Sequence, residues 1–305
     1  MDMTNTLNQM GVLFITLIIG YIAHKAGLLS PSSDRILTKV VINIALPCSC
    51  LNSVLSGRVT ISPNEVLIFV GLALLVVAVP FFVFYYMPNI MGAPRSDHGL
   101  YRFMIVFGNC GFMGFPVIQT LFGASAGFYV ALFLIPYNLL SYSLGIMLVS
   151  GSAVRSVRKL LLNAPFISSV VTVIIYAAGI TTAPQVILST VSSVGGVMSP
   201  LAMLVTGSTL AAVPLKEVFT EWRIYPVTFV RLIVCPVAVC LILGLFLKDS
   251  TMLGVLTAEA GMPIAVNATM FSLAYGGNET LASKSVFIST LLSIATIPLI
   301  ALLLL

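Results

Sequence analysis

The chain has 305 residues, 59% of them apolar and 8% charged, with a mean hydropathy of +1.13 and a formal net charge of +5. No soluble globular domain of this length has that composition, so the fold class is an all-α polytopic membrane protein. Long continuous apolar runs also exclude an outer-membrane barrel, whose strands are short and alternate in polarity.

In chain order, runs of spanning length fall at 8–28, 37–56, 64–87, 100–122, 126–149, 164–180, 185–212, 224–247, 251–275 and 283–305. These are ten expected transmembrane helices in a single transmembrane domain, 1–305. The first run lacks a basic leader and a small-residue cleavage site, and its first charge is Asp2, so a retained helix is expected there.

Lysine and arginine orient the chain. The loops after spans 1, 3, 5, 7 and 9 hold Lys25, Arg35, Lys39, Arg95, Arg102, Arg155, Arg158, Lys159, Lys216, Arg223 and Lys284. The opposite side holds only Arg58 and Lys248, while Arg231 falls inside span 8. This bias places those five loops in the cytoplasm of a cell membrane and both termini outside. The positive charge is therefore topological. It is spread over short loops, which argues against a nucleic-acid partner. Orientation also accounts for the basic stretch 155–159, although contact with anionic lipid is an alternative. His24 and His98 lie at cytoplasmic span ends and read as solvated loop residues.

All five cysteines (Cys48, Cys50, Cys110, Cys235, Cys240) lie in spans and read as free packing residues. The Cys48–Cys50 pair has no histidine or carboxylate near it in the sequence, so neither a metal nor another cofactor is expected.

Two spans are interrupted, at FGNCGFMGFP (107–116) and EAGMPIAVN (259–267). A broken helix persists in hydrocarbon only where protein or a water-filled cavity satisfies its freed backbone groups. Paired breaks in corresponding positions of two halves point to a transporter's binding site. The halves echo each other at an offset of 153–156: Pro47 answers Pro200, Pro80 answers Pro236, and Gly108 answers Pro263. Repeats over 1–150 and 160–305, each with five spans, must enter the membrane inverted. From the 1.5 Å rise per residue, Gly108–Gly114 lies about 12–21 Å from one face and Pro263 about 18 Å from the other. Both are near the midplane of a core about 30 Å thick.

The second half-helices are expected to begin near Cys110–Gly114 and Ile264, presenting free N–H groups and the positive end of the helix dipole to a small anion. The expected substrate contacts are Asn109, Cys110, Gly111, Gly114, Pro263, Ile264 and Asn267, with Gly108, Pro116 and Gly261 forming the breaks. Helix–helix packing is the alternative role for the glycines, and satisfying freed backbone is the alternative for the asparagines. Glu259, close to the end of its half-helix, is a candidate proton carrier. Arg231 either attracts the anion or snorkels to the inner surface, and a structural Glu259–Arg231 pair is the plainer reading. Asn43 and Asn138 fall near mid-depth, as cavity-lining candidates or as polar contacts between helices.

Six stretches carry a family resemblance: NIALPCSCLNSVLSG (43–57), GNCGFMGFPVIQTLFG (108–123), NAPFISSV (163–170), SPLAMLVTGSTLA (199–211), RLIVCP (231–236) and GMPIAVNATMFSLAYGGNETLAS (261–283). The chain resembles the auxin efflux carrier (AEC) family. The likeness is to its prokaryotic malonate- and malate-type branch, which is related to the PIN auxin carriers. The resemblance implies a 5+5 inverted repeat with spans 4 and 9 crossing at the substrate site, as in sodium/proton antiporters. It further implies organic-anion substrates, elevator-type motion, and a scaffold of spans 1, 2, 6 and 7 that forms a homodimer. The PIN pattern has a proline at the first break. Here Gly108-Asn109 occupies that place, which leaves the span 4 break open by several residues.

The leading expectation is a secondary carrier of mono- or dicarboxylates in the lipid bilayer. An exchanger coupled to H+ or Na+ on the same fold is the alternative, with Glu259 the sole acid at the crossing. An enzyme would need a convergent nucleophile, acid–base pair or metal cluster in the spans, and the sequence offers none.

Overall fold

The computed structural model describes residues 3–56, 61–151, 163–212 and 218–303. Arg58, Arg155, Arg158, Lys159 and Lys216, used above for orientation, lie outside them, as does the basic stretch 155–159. The α-helices in chain order are α1 (Met3–Lys25), α2 (Pro31–Val40), α3 (Leu46–Leu55), α4 (Pro63–Val83), α5 (Met87–Ile90), α6 (His98–Val106), α7 (Phe115–Phe122), α8 (Gly127–Leu140) and α9 (Ile146–Ser150). They continue as α10 (Ala164–Ala177), α11 (Gln185–Gly196), α12 (Met198–Ala212), α13 (Ile224–Phe229), α14 (Cys235–Gly244), α15 (Ser250–Ala260), α16 (Asn267–Tyr275) and α17 (Glu279–Leu303).

Among the described residues, six helical runs are long and apolar enough to cross a membrane: 31–55, 63–90, 124–150, 185–212, 224–244 and 279–303. Shorter apolar helices cover 11–25, 110–122 and 164–177. The chain is therefore a helical polytopic membrane protein. Several helix starts follow from local chemistry. Ser30 and Ser33 form a reciprocal capping box at α2, Asn163 Oδ1 accepts from Phe166 N–H at 2.8 Å, and Asp249 Oδ1 accepts from Thr251 and Met252 N–H.

Three prolines each follow a π-turn, and a fourth such turn, Ser141–Gly145, has none after it. Val41–Ala45, Cys110–Gly114 and Val230–Val234 are single π-turns, each followed by an α-helix with proline at its second residue: Pro47, Pro116 and Pro236. Proline offers no N–H and its ring crowds the carbonyl four residues back, so the preceding turn widens.

The chain forms two compact units, each assembled from both halves of the sequence. The first comprises 1–70, 111–135 and 162–212. Its main pairing is α1 against α12, at backbone contact: a Cβ on Gly20 would sit 2.0 Å from the Leu204 carbonyl oxygen, and one on Gly207 would sit 1.8 Å from that of Leu17. That approach brings Ser208 to the end of α1. His24 Nδ1 lies 2.9 Å from Ser208 Oγ, which donates to Asp34 Oδ2 at 2.8 Å. His24 is thus tied into the unit, which corrects its reading as a solvated loop residue. Elsewhere in the unit, Ser49 Oγ on α3 donates to the Gly195 carbonyl on α11 at 2.8 Å. The α1 face bearing Ile15, Ile18, Ile19 and Ile22 is exposed, as suits a helix against lipid.

The second unit comprises 71–110, 136–161 and 213–305. Here α6 meets α9 closely, since a Cβ on Gly99 would lie 1.8 Å from the Leu148 carbonyl oxygen. Arg223 pairs with Glu221 at 3.0 Å and donates to the carbonyls of Met91 and Gly92. Around α6, α15 and α17 the core is almost sealed: Phe103, Phe107, Val255, Leu256 and Met262 are fully buried.

Candidate functional site

Both interruptions fall inside the second unit, and they pair with each other. The first half of span 4 ends with α6 at Val106, and Phe107 turns to extended backbone at φ −103°, ψ 110°. The break is thus at Phe107–Asn109, ahead of the π-turn that carries Gly111 and Gly114, and Pro116 lies beyond it as the second residue of α7. In span 9, α15 ends at Ala260 and α16 begins at Asn267, leaving Gly261–Val266 as the interruption. Gly108 and Ile264 form an antiparallel bridge. Asn109 N–H donates to the Pro263 carbonyl at 2.7 Å, and Ala265 N–H donates to that of Phe107 at 3.0 Å.

A broken helix in hydrocarbon must still find partners for its freed backbone groups, and here they can be followed one by one. Three carbonyls at the C-terminal ends of α6 and α15 turn to one side chain. Arg231 Nη1 donates to Val106 O at 3.2 Å, Nη2 to Glu259 O at 3.0 Å and Nε to Met262 O at 2.9 Å. The Gly108 carbonyl accepts from Tyr137 Oη at 2.6 Å, and Ile264 N–H donates to Ser289 Oγ on α17 at 3.1 Å. The cationic guanidinium therefore lies where two helix dipoles end negatively.

This geometry changes several sequence readings. Arg231 is 3% exposed, so it does not snorkel. Its contact with Glu259 is to the main chain. Gly108 is required by Arg231: a Cβ there would lie 1.9 Å from Nη2 and 2.7 Å from Cζ. The half-helix after the second break starts at Asn267 and not at Ile264, because Ile264 and Ala265 are held extended in the bridge. Its first turn is also less open than expected, since Ala268 and Thr269 N–H donate to the Ala265 and Val266 carbonyls.

A family model described as membrane transport protein matches residues 6–156 and 152–301. The chain belongs to this family, the auxin efflux carrier family. An uncharacterized transporter of Methanocaldococcus jannaschii is 26% identical over 300 residues, 94% of this chain and 95% of the relative. One from Methanothermobacter thermautotrophicus is 26% identical over 302 residues, 97% of each. The uncharacterized transporter YfdV of Escherichia coli is 23% identical over 298 residues, 94% of each. Membership of the auxin efflux carrier family makes the chain a membrane transport protein.

Within this carrier, Asn109, Cys110, Pro263 and Ile264 are buried at the bridge, and Asn267 is half-buried at the start of α16. Among the described residues Asn109 Nδ2 has no hydrogen-bond partner, and neither has Asn138 Nδ2, next to Tyr137. Cys110 Sγ lies 3.7 Å from the Glu259 carbonyl oxygen. Glu259 is fully buried, and among the described residues neither carboxyl oxygen has a hydrogen-bond partner. Gly261 packs against Ile300 and Pro236. Gly111, Gly114 and Pro116 belong to the first unit, where a Cβ on Gly111 would meet Leu134 at an ordinary 3.5 Å. Asn43, also in that unit, is exposed and donates to the Lys39 carbonyl at 2.8 Å, one turn back on its own helix.

Sequence reasoning missed Tyr137 and Ser289 as partners of the break. A tyrosine and a serine inside apolar spans were the available signals, but nothing local shows which carbonyl or N–H they meet.

Proposed function

We propose that the protein is a secondary carrier of small organic anions, mono- or dicarboxylates, which bind at the paired breaks of spans 4 and 9. Asn109 carries the reading. Its main chain is held by the bridge, while its buried amide nitrogen has no partner among the described residues. An unpaired donor in a low-dielectric interior costs about 1–3 kcal/mol, which a carboxylate would recover. Arg231 adds a fixed positive charge to the same crossing, and Asn138 Nδ2 is a second unpaired donor on the neighbouring span.

The reading extends to ten spans in a 5+5 inverted repeat. Spans 1, 2, 6 and 7 serve as a scaffold and homodimer interface, and transport proceeds by an elevator-type motion. The carrier sits in the cell membrane with both termini outside, in keeping with the distribution of lysine and arginine. A second reading, an exchanger coupled to H+ or Na+, is favoured by Glu259, an acid fully buried beside the bridge.

The test is a thermal-shift screen of the purified protein with mono- and dicarboxylates, amino acids and aromatic acids. Uptake into proteoliposomes with and without a pH or sodium gradient then follows. Stabilisation by carboxylates, with uptake that depends on Asn109, supports the carrier. Stabilisation by none of them, with gradient-driven cation exchange, supports the second reading.

A further inference from the structure

Glu259 is the buried group that the anion site leaves unused. Its side chain is 0% exposed, and among the described residues neither Oε1 nor Oε2 has a hydrogen-bond partner. Among the described residues it forms no ion pair with Arg231, whose three side-chain nitrogens donate to the carbonyls of Val106, Met262 and Glu259 itself. The guanidinium is nevertheless held against the main chain of the same residue, Nη2 to O at 3.0 Å.

The other titratable groups around Glu259 are ordinarily neutral. They are the Cys110 thiol against the Glu259 carbonyl, the Tyr137 phenol on Gly108, and Cys235 on α14, the helix packed beside α15. From α17 the residue reaching the end of α15 is Ile300, 3.0 Å from a Cβ on Gly261. The charged Glu279 and Lys284 are at the opposite end of α17, about 24–32 Å away by helical rise. Among the described residues, the fixed charge of the crossing is therefore set by Arg231 and Glu259. It is zero with the carboxyl ionised and +1 with it protonated.

We propose that Glu259 is a proton site coupled to the substrate, so that the carrier takes up one proton on this carboxyl with each anion it binds. The inference rests on the anion-carrier reading and supplies its coupling ion. An anion entering a desolvated site needs a compensating charge. The ionised carboxyl cancels the one that Arg231 offers, and protonation restores it. The effect is reciprocal by linkage: the proton tightens the anion and the anion tightens the proton.

The experiment is calorimetric titration of the purified full chain with malonate, in pairs of buffers of different ionisation enthalpy, from about pH 6.5 to about pH 8.5. Malonate affinity is expected to be full at the acidic end. As Glu259 ionises it should fall by up to about tenfold per pH unit, with close to one proton taken up per malonate at the alkaline end. Glu259→Gln should bind malonate without proton uptake and with a flat pH profile, whereas Glu259→Asp should keep the uptake. The wild-type proton count does not depend on any variant folding. Wild-type protein that binds malonate without taking up a proton, or Glu259→Gln that keeps the pH slope, would overturn the coupling and leave the carrier reading intact. Failure of malonate and every other carboxylate to bind the wild-type protein would overturn both.

Discussion

The Arg231 brace can be tested as a unit through its two halves, the guanidinium and the glycine that admits it. Arg231→Met keeps an apolar stem of similar reach and removes all three donors, leaving the carbonyls of Val106, Glu259 and Met262 unpaired in a sealed interior. At about 1–3 kcal/mol for each orphaned group, partly offset by relaxation, the loss should be about 3–6 kcal/mol. At about 2.1 cal/mol/K of unfolding entropy per residue, that corresponds for 305 residues to a fall of roughly 5–9 °C in unfolding temperature. Arg231→Lys should fall between Arg231→Met and wild type, because a single ammonium cannot address three divergent carbonyls. Gly108→Ala places a methyl 1.9 Å from Nη2 and must dislodge the same guanidinium. Alone it should cost about 2–4 kcal/mol by breaking part of the network. In combination with Arg231→Met it should add less than about 1 kcal/mol, since the interaction it disrupts is already gone. The assay is thermal unfolding of the four proteins in detergent. An Arg231→Met protein that melts with the wild type, or two losses that simply add, would refute the brace.

Other substitutions probe the remaining partners. Tyr137→Phe removes the donor to the Gly108 carbonyl and should lower the unfolding temperature by a few degrees, about 1–2 kcal/mol. Ser289→Ala strands the Ile264 N–H and should cost a similar amount, raising hydrogen exchange at Ile264 and Ala265 above that in α17. In the first unit, Gly207→Leu forces α1 and α12 apart and should abolish folded protein on size-exclusion chromatography. The same change at Gly196, where a Cβ meets nothing within 4 Å, should leave the elution profile unchanged.

Much of this was visible in the residues alone. Apolar run length found the helices. Glycine, asparagine and proline inside two of those runs found the breaks, because such residues in hydrocarbon demand a special environment. Two features were not legible. Which groups pair across the break depends on how distant segments meet, so neither the Gly108–Ile264 bridge nor the three carbonyls of Arg231 could be read from spacing. The start of α16 at Asn267 is a tertiary effect as well: the sequence permits a helix from Ile264, and the bridge withholds three residues from it. His24 shows the same limit on a smaller scale. At a span end it reads as solvated, but the glycines at 20 and 207 let α12 approach and present Ser208 to it.

The central claim is that the paired breaks bind the anion. The most direct measurement is malonate binding to the wild-type protein and to Asn109→Ala, with unfolding temperature measured in parallel. Because Asn109 Nδ2 has no partner to lose among the described residues, the expected result is an unfolding temperature within a few degrees of wild type and malonate affinity reduced at least about tenfold, the equivalent of about 1.4 kcal/mol. Malonate binding of unchanged affinity in the Asn109→Ala protein would contradict it.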